Sequence, residues 1–275
     1  MVINHERGDV MTTCPECGTF RIKKYGKREN KRGIFQKYKC KCCKIQFIED
    51  DFLWMQTPKE AVSTAVRLKT KSSMSAELVM EEIEKIYGIK RCSSLVFVWI
   101  DKYSGMFEVV NHMPLYGISK RLHMDHTELS INGEKAYFWG VLCPYTRLIV
   151  GWHLSMSKEF DNAKAVLRKA KNRFPVGFEI KEIVTDGENS FPRAIAEVFE
   201  HSVKHYRYKG FVDKKNNNTI ETLWNFTNFI PKFCSFEQAR KFFTIWVAMY
   251  NIKRSRQLAE SYEVYKIVQK IKIWT

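Results

Sequence analysis

Three acidic residues, Asp125, Asp186 and Glu221, stand where carboxylates could do chemistry. Asp125 lies inside the strand-like stretch His123-Met124-Asp125-His126-Thr127. Asp186 ends the apolar run Ile183-Val184-Thr185 and precedes Gly187, and Glu221 closes the helical segment Asn216-Asn217-Asn218-Thr219-Ile220. A carboxylate at the end of an apolar strand is unfavourable unless it is solvated, paired or bound to a cation. Three of them converging at one sheet edge would hold hard divalent cations such as Mg²⁺ or Mn²⁺, which take oxygen ligands and keep several waters. Two such ions about 4 Å apart can activate an attacking oxygen and stabilise a leaving one in phosphoryl transfer. Any one of these acids alone reads as a surface or capping group, so their weight lies in the combination.

A second set of ligands is sulfur. Cys14-Pro15-Glu16-Cys17 and Cys40-Lys41-Cys42-Cys43 are two short clusters 22 residues apart in a chain with eight cysteines. Zinc takes four tetrahedral soft ligands, and a C-x-x-C turn presents two thiolates to one ion. Cys14, Cys17, Cys40 and Cys43 are therefore the expected structural Zn²⁺ site, with Cys42 a spare; the alternative is isolated thiols in loops. Lys23, Lys24, Lys27, Arg28, Lys31 and Arg32 lie between the clusters, interleaved with Phe20, Tyr25, Phe35 and Tyr38. Such residues on a metal-pinned hairpin suit DNA phosphate contacts. The plainer alternative is a solvated basic face.

The rest of the chain must position these groups. Its 275 residues are 45% hydrophobic, enough for a packed core, with a net charge of +16 and a pI near 9.4. That balance points to a polyanionic partner, nucleic acid first. No apolar run is long enough to span a bilayer, and no leader pattern is visible, so the expectation is a cytoplasmic, nucleoid-associated protein. Three zones are expected: a cysteine-rich zone over 1–55, a helical zone over 56–110 and a mixed α/β domain over 118–252, followed by a tail at 253–275. In the helical zone, Thr57-Pro58 opens a helix to about Lys69. A second helix runs from Ser75 to Tyr87 and ends at Gly88, and a third from Ser93-Ser94 to about Tyr103. This reads as a helix-turn-helix with the third helix entering the major groove, or as a plain three-helix module. The α/β zone reads as strands at 121–131, 136–142 and 148–154, with an Asn132-Gly133 hairpin turn. A helix at 159–173, a strand at 180–185, a helix at 191–200, a strand at 203–206 and helices at about 217–229 and 235–250 follow. That order predicts a mixed central sheet covered on both faces.

With these segments in hand, residues 12 to about 252 resemble prokaryotic and archaeal insertion-sequence transposases of the DDE type. The resemblance is carried by Tyr38-Lys39-Cys40-Lys41-Cys42-Cys43, Met124-Asp125-His126-Thr127-Glu128, Asn132-Gly133-Glu134-Lys135, Tyr145-Thr146-Arg147, Val184-Thr185-Asp186-Gly187 and the stretch from Lys209 to Glu221. It implies a zinc ribbon and a helix-turn-helix ahead of a ribonuclease H-like, integrase-like catalytic domain. Asp125, Asp186 and Glu221 would be its metal-binding triad, and the 34 residues between the last two match the family spacing. The implied activity is metal-dependent cleavage at transposon ends and strand transfer into target double-stranded DNA, by a homodimer or larger assembly. Lys209, Lys214 and Asn218 would contact DNA near the site. The chain also departs from the pattern. His126 stands where Glu is usual, Cys143 replaces an acid, and Thr222-Leu223-Trp224-Asn225 replaces a basic stretch. Asn251-Ile252-Lys253-Arg254 keeps part of the usual Asn-x-x-Arg-Pro-His, and the tail is divergent. The alternative reading is a decayed or domesticated transposase that binds DNA without cutting it.

Overall fold

The computed structural model describes residues 14, 16–17, 19–30, 33–48, 57–72, 74–208, 220, 223–225, 230–262, 264–265 and 267. Glu221, Lys31, Arg32, Lys209, Lys214, Asn218 and most of the helix expected at 217–229 lie outside that set. The chain divides into two compact units, Met1–Pro58 and Lys59–Thr275.

The first unit is a three-stranded antiparallel sheet of β1 (Ile22–Asn30), β2 (Gly33–Cys40) and β3 (Gln46–Ile48), in the order β1-β2-β3. A bulge interrupts the β1–β2 register between Lys24 and Lys27. Gly26 sits there at φ 78°, a conformation open to glycine at no steric penalty. Tyr38 stacks on Phe47 across β2 and β3, with ring centroids 5.8 Å apart.

The second unit opens with α1 (Lys59–Lys71), α2 (Ala76–Tyr87) and α3 (Ser94–His112). Ser75 caps α2 by accepting the Leu78 N–H, and Gly88 ends it in the left-handed conformation. The third helix runs well past the expected end at Tyr103, to His112, because its apolar stripe continues. Val96, Trp99, Ile100, Tyr103, Phe107 and Val110 are all buried, and α3 packs along the helix Phe236–Ile252. Asn111 donates from Nδ2 to the Thr244 carbonyl at 2.8 Å, and Lys241 pairs with Asp101.

The mixed sheet follows. β4 (Arg121–Ile131) matches the expected strand residue for residue. The turn after it has Asn132 at φ 52° and Gly133 at φ 83°, the pair of positive values a two-residue hairpin needs to follow strand twist. β5 (Glu134–Leu142) and β6 (Ile149–Ser155) continue the meander, then α4 (Phe160–Lys171), β7 (Glu182–Thr185), α5 (Ser190–Phe199) and β8 (Lys204–Arg207) alternate. α6 (Phe236–Ile252) and α7 (Arg256–Ala259) close the unit. The strand order is β6-β5-β4-β7-β8, antiparallel within the meander and parallel for β4–β7 and β7–β8. This is the ribonuclease H-like arrangement the sequence resemblance implies.

Side-chain alternation gives the sheet two buried faces. One carries Leu129, Phe138, Trp152 and Leu154 against Phe242, Phe243 and Val247 of α6, together with Ile220 and Leu223. The other meets α4 so closely that a Cβ on Gly151 would stand 2.7 Å from the Val166 carbonyl oxygen and 2.8 Å from the Ala170 Cβ. Two buried polar side chains tie the sheet to its surroundings. Asn251 accepts the Ile149 N–H and donates to the Ile149 carbonyl, both at 2.8 Å, where the β5–β6 register slips between Val141 and Leu142. Arg173 donates to the carbonyls of Met113, Ile149 and Val110. Burial pulls its pKa down to about 10, which leaves it charged near neutrality.

Candidate active site

Asp125 occupies the middle of β4, on the face that carries Phe138 and α6. It is paired in register with Gly140 of β5. The carboxylate is nearly buried, 8% exposed, and both oxygens accept hydrogen bonds. Oδ1 takes the His126 backbone N–H at 2.7 Å, and Oδ2 takes the Trp224 indole N–H at 2.7 Å. Three residues of β4 pair in parallel with β7, ending at His123 opposite Val184. Asp186 follows the last residue of β7, and the same register continued two residues would set it level with Asp125, at about the 4.8 Å spacing of neighbouring strands. Val184 shares the parity of His123 and Asp125, so the alternation puts its side chain on the Asp125 face, two residues before Asp186.

Asp186 stands where β7 ends. Its Oδ1 accepts the Glu188 N–H at 3.1 Å, which fixes a turn at the C-terminal edge of the parallel strands, the edge where open α/β sheets place their ligands. The buried Thr185 hydroxyl bridges to His205 Nε2 of β8 at 2.8 Å and to the Asp186 carbonyl at 2.9 Å. Arg207 donates to Asn189 Oδ1 at 3.0 Å and lies beside Gly187. Burial, then the neighbouring Arg207 charge, lowers the His205 pKa.

His126, in place of the usual Glu, points to the opposite face. Its ring packs 4.8 Å from Trp139 and 6.0 Å from Phe191. Burial chiefly, and then Lys158, push its pKa below the ordinary value, while Asp186 and Glu188 pull the other way. Cys143, in place of an acid, is fully buried, and its sulfur accepts the Ser119 and Thr146 N–H groups at the β5–β6 turn.

Two residues that sequence reasoning passed over are central here. Trp224 supplies the donor to Asp125, and Gly140 makes room for it: a Cβ at 140 would stand 2.9 Å from the Trp224 Cη2. A glycine inside an otherwise apolar strand is the signal that could have found the close approach.

In the first unit, Cys14, Cys17, Cys40 and Cys43 place their sulfurs within 4.8 Å of one another, the one such ligand group among the described residues. Cys14 and Cys43 are 3.4 Å apart and Cys17 and Cys40 3.6 Å. The edge of a tetrahedron with zinc–sulfur bonds of about 2.3 Å is about 3.8 Å, so the cluster fits zinc. Burial opposes ionisation of the Cys40 thiol, but the backbone N–H groups of Cys43 and Cys42 outweigh it and hold the pKa at about 6. The Cys42 N–H donates to the Cys40 sulfur at 3.3 Å, while its own thiol faces Thr19, outside the four. Lys23, Lys24, Lys27 and Arg28 are all exposed along β1, an edge strand. Lys37 and Lys39 of β2 sit over the Tyr25 ring, at 5.6 and 5.2 Å.

Residues 119–256 match the family model of the DDE domain of IS240-type transposases. No curated protein matches the chain. Among solved structures, it is similar to the Mos1 strand transfer complex, with a TM-score of 0.37 and 10% identity over 79% of this chain and 77% of that one. It is also similar to the HTLV-2 integrase catalytic core domain in complex with magnesium, with a TM-score of 0.29 and 15% identity over 41% and 72%. A third is the simian T-cell lymphotropic virus intasome in complex with a PP2A regulatory subunit, with a TM-score of 0.32 and 10% identity; the match spans 55% of this chain and 58% of that one. Among the described residues, no helix is long and apolar enough to cross a membrane. The family match takes in the meander, both parallel strands and α6, half of the sequence and all three candidate acids, and the chain belongs to the DDE-domain family of IS240-type insertion-sequence transposases.

Proposed function

We propose that this chain is a DNA transposase in which Asp125, Asp186 and Glu221 hold two Mg²⁺ or Mn²⁺ ions and direct strand cleavage at transposon ends, followed by strand transfer into target DNA. The observation that supports the reading is the β4–β7 register, with His123 opposite Val184, which continued two residues would set Asp125 level with Asp186, in a chain of DDE family membership. The bound ions would supply charge neutralisation and an activated oxygen. The protein's own contribution is positional. The His126 and Trp224 N–H groups fix Asp125, and the Glu188 N–H fixes Asp186. Lys209, Lys214 and Asn218 would hold the DNA near the acids.

The cysteine cluster would hold a structural Zn²⁺, and the exposed Lys23, Lys24, Lys27 and Arg28, with Lys31 and Arg32, would grip DNA phosphates. In the helix-turn-helix reading of α1–α3, the α2–α3 turn with exposed Lys90 and Arg91 is the part that would approach the groove. The exposed face of α3 itself offers Lys102 beside Asp101, Val98 and Val109. A homodimer or larger assembly on paired ends, acting at the nucleoid, completes the proposal.

A second reading, a transposase-derived protein that binds DNA without cutting it, is favoured by the non-basic Thr222-Leu223-Trp224-Asn225 after Glu221. One experiment separates them. Purified protein is incubated with labelled DNA carrying the gene's flanks, with and without Mg²⁺ or Mn²⁺. Metal-dependent nicks at fixed positions, lost in Asp186→Asn while DNA binding is kept, are the expected result. Binding without nicks in either metal supports the second reading, and cutting by Asp186→Asn removes that residue from the mechanism.

A further inference from the structure

We infer that Trp224 is a positioning residue for Asp125, a neutral outer donor that sets the orientation of the carboxylate for a divalent cation. The inference rests on the reading of Asp125 as a metal ligand. Its geometric basis is independent of that reading. The indole N–H donates to Oδ2 at 2.7 Å while the His126 backbone N–H donates to Oδ1 at the same distance. These two donors, on opposite oxygens, set the carboxylate plane. Each carboxylate oxygen has two acceptor positions, so these two donors do not by themselves fill the carboxylate.

The arrangement is built into the core. Gly140 faces Asp125 across the β4–β5 pair, and the Trp224 ring lies against it. The same ring meets Phe138 edge-on, with centroids 6.0 Å apart and planes at 82°. Ile220 and Leu223, at helical spacing from Trp224, are buried in the same cluster. The indole cannot swing away from Asp125 without leaving that packing. The donor's chemistry matters as well. An arginine or lysine at this position would pair with the carboxylate and repel an incoming dication, whereas an indole N–H is a donor without charge or acceptor capacity. Outer-shell donors to metal-ligating carboxylates typically change metal affinity by about 10–100-fold when removed.

The test uses the full chain. Mn²⁺ binding is measured from the loss of the free-ion paramagnetic resonance signal in wild type, Asp125→Asn and Trp224→Phe. In parallel, the indole N–H resonances of ¹⁵N-tryptophan-labelled wild type are followed during Mg²⁺ addition. Mn²⁺ affinity should fall about tenfold or more in Trp224→Phe and be lost in Asp125→Asn. One indole resonance, the one displaced by Asp125→Asn, should move with Mg²⁺ in the wild type. That measurement needs no substitution at 224, so it stands if Trp224→Phe does not fold. Wild-type Mn²⁺ affinity in Asp125→Asn would remove Asp125 as a ligand and take this inference with it. Loss of the ion in Asp125→Asn with wild-type affinity in Trp224→Phe, or no Asp125-dependent indole responding to Mg²⁺, would overturn the role of Trp224 alone.

Discussion

Replacing Gly140 by alanine tests whether the Asp125 pocket is built as a matched pair. The new methyl would stand 2.9 Å from the Trp224 Cη2 and 3.7 and 3.8 Å from Cζ3 and Cζ2. Ordinary carbon contacts begin at about 3.5 Å, so the ring must retreat by roughly 0.6 Å or more. The indole hydrogen bond to Asp125, now 2.7 Å, would then stretch past about 3.2 Å, the outer end of the usual range. Overpacking of this kind is destabilising by about 1–3 kcal/mol, and a hydrogen bond to a charged group contributes about 1.5–3 kcal/mol. A combined loss of about 2.5–6 kcal/mol follows. For a unit the size of Lys59–Thr275, each kcal/mol lowers Tm by about 2–4 °C, so calorimetry should show a fall of roughly 5–24 °C.

The decisive measurement is the double-mutant cycle with Trp224→Leu. Without the far edge of the ring, a methyl group at position 140 has space, and alanine restricts the unfolded chain more than glycine does. In that background Gly140→Ala should be neutral or stabilising by up to about 1 kcal/mol, a coupling energy of at least about 2.5 kcal/mol between the two positions. An equal loss in both backgrounds would refute the argument, because the strain would then arise from some neighbour other than Trp224.

Two further outcomes follow from buried or clustered groups. Cys40→Ser should abolish a zinc content of about one ion per chain, measured by plasma emission, and unfold the β1–β3 sheet seen by NMR, since structural zinc supplies folding energy to small units; an unchanged zinc content would exclude the cluster as its site. Asn251→Ala leaves the buried Ile149 N–H without its acceptor, while the Ile149 carbonyl keeps the Arg173 guanidinium, and should lower stability by about 1–3 kcal/mol in denaturant titrations, while a loss under about 0.5 kcal/mol would show that this N–H finds another partner.

The local elements were legible because their signals are local. The alternation of Arg121 to Ile131 and the Asn132-Gly133 turn define β4 and its hairpin without reference to the rest of the chain. The end of α3 was less legible. The reading stops near Tyr103, but Phe107 and Val110 extend the stripe because α6, far later in the chain, supplies the surface that covers it. The site divides in the same way. The three acids stand out as candidates by type and by the family spacing, and the cysteines by their C-x-x-C turns, which the structure brings together. The parallel pairing of β4 with β7, which runs toward Asp125 and Asp186, joins segments distant in the chain, and no local pattern encodes it. The Trp224–Asp125 hydrogen bond spans 99 positions, and its only sequence trace is a glycine inside a strand.

That hydrogen bond also changes the meaning of the departures from the family pattern. A residue lost by drift leaves its former neighbours with a cavity or an orphaned polar group. At Cys143 and Trp224 the replacements are accommodated. Cys143 sits fully buried with two backbone N–H groups on its sulfur. His126 packs its ring against Trp139 and Phe191, but its buried Nδ1 has no hydrogen-bond partner among the described residues. Trp224 fills the space left by Gly140 and satisfies Asp125. Asn251, retained from the family stretch, holds both polar groups of Ile149, and Arg254 stacks on Tyr250 with its guanidinium 3.6 Å from the ring centroid. Cys143 and Trp224 thus pack with their polar atoms met, and Trp224 does so on Asp125 itself. Whether the basic stretch lost after Glu221 is made good in gripping DNA is a separate matter, because phosphate contacts act outside the core, and the Mg²⁺-dependent nicking assay reads that difference directly.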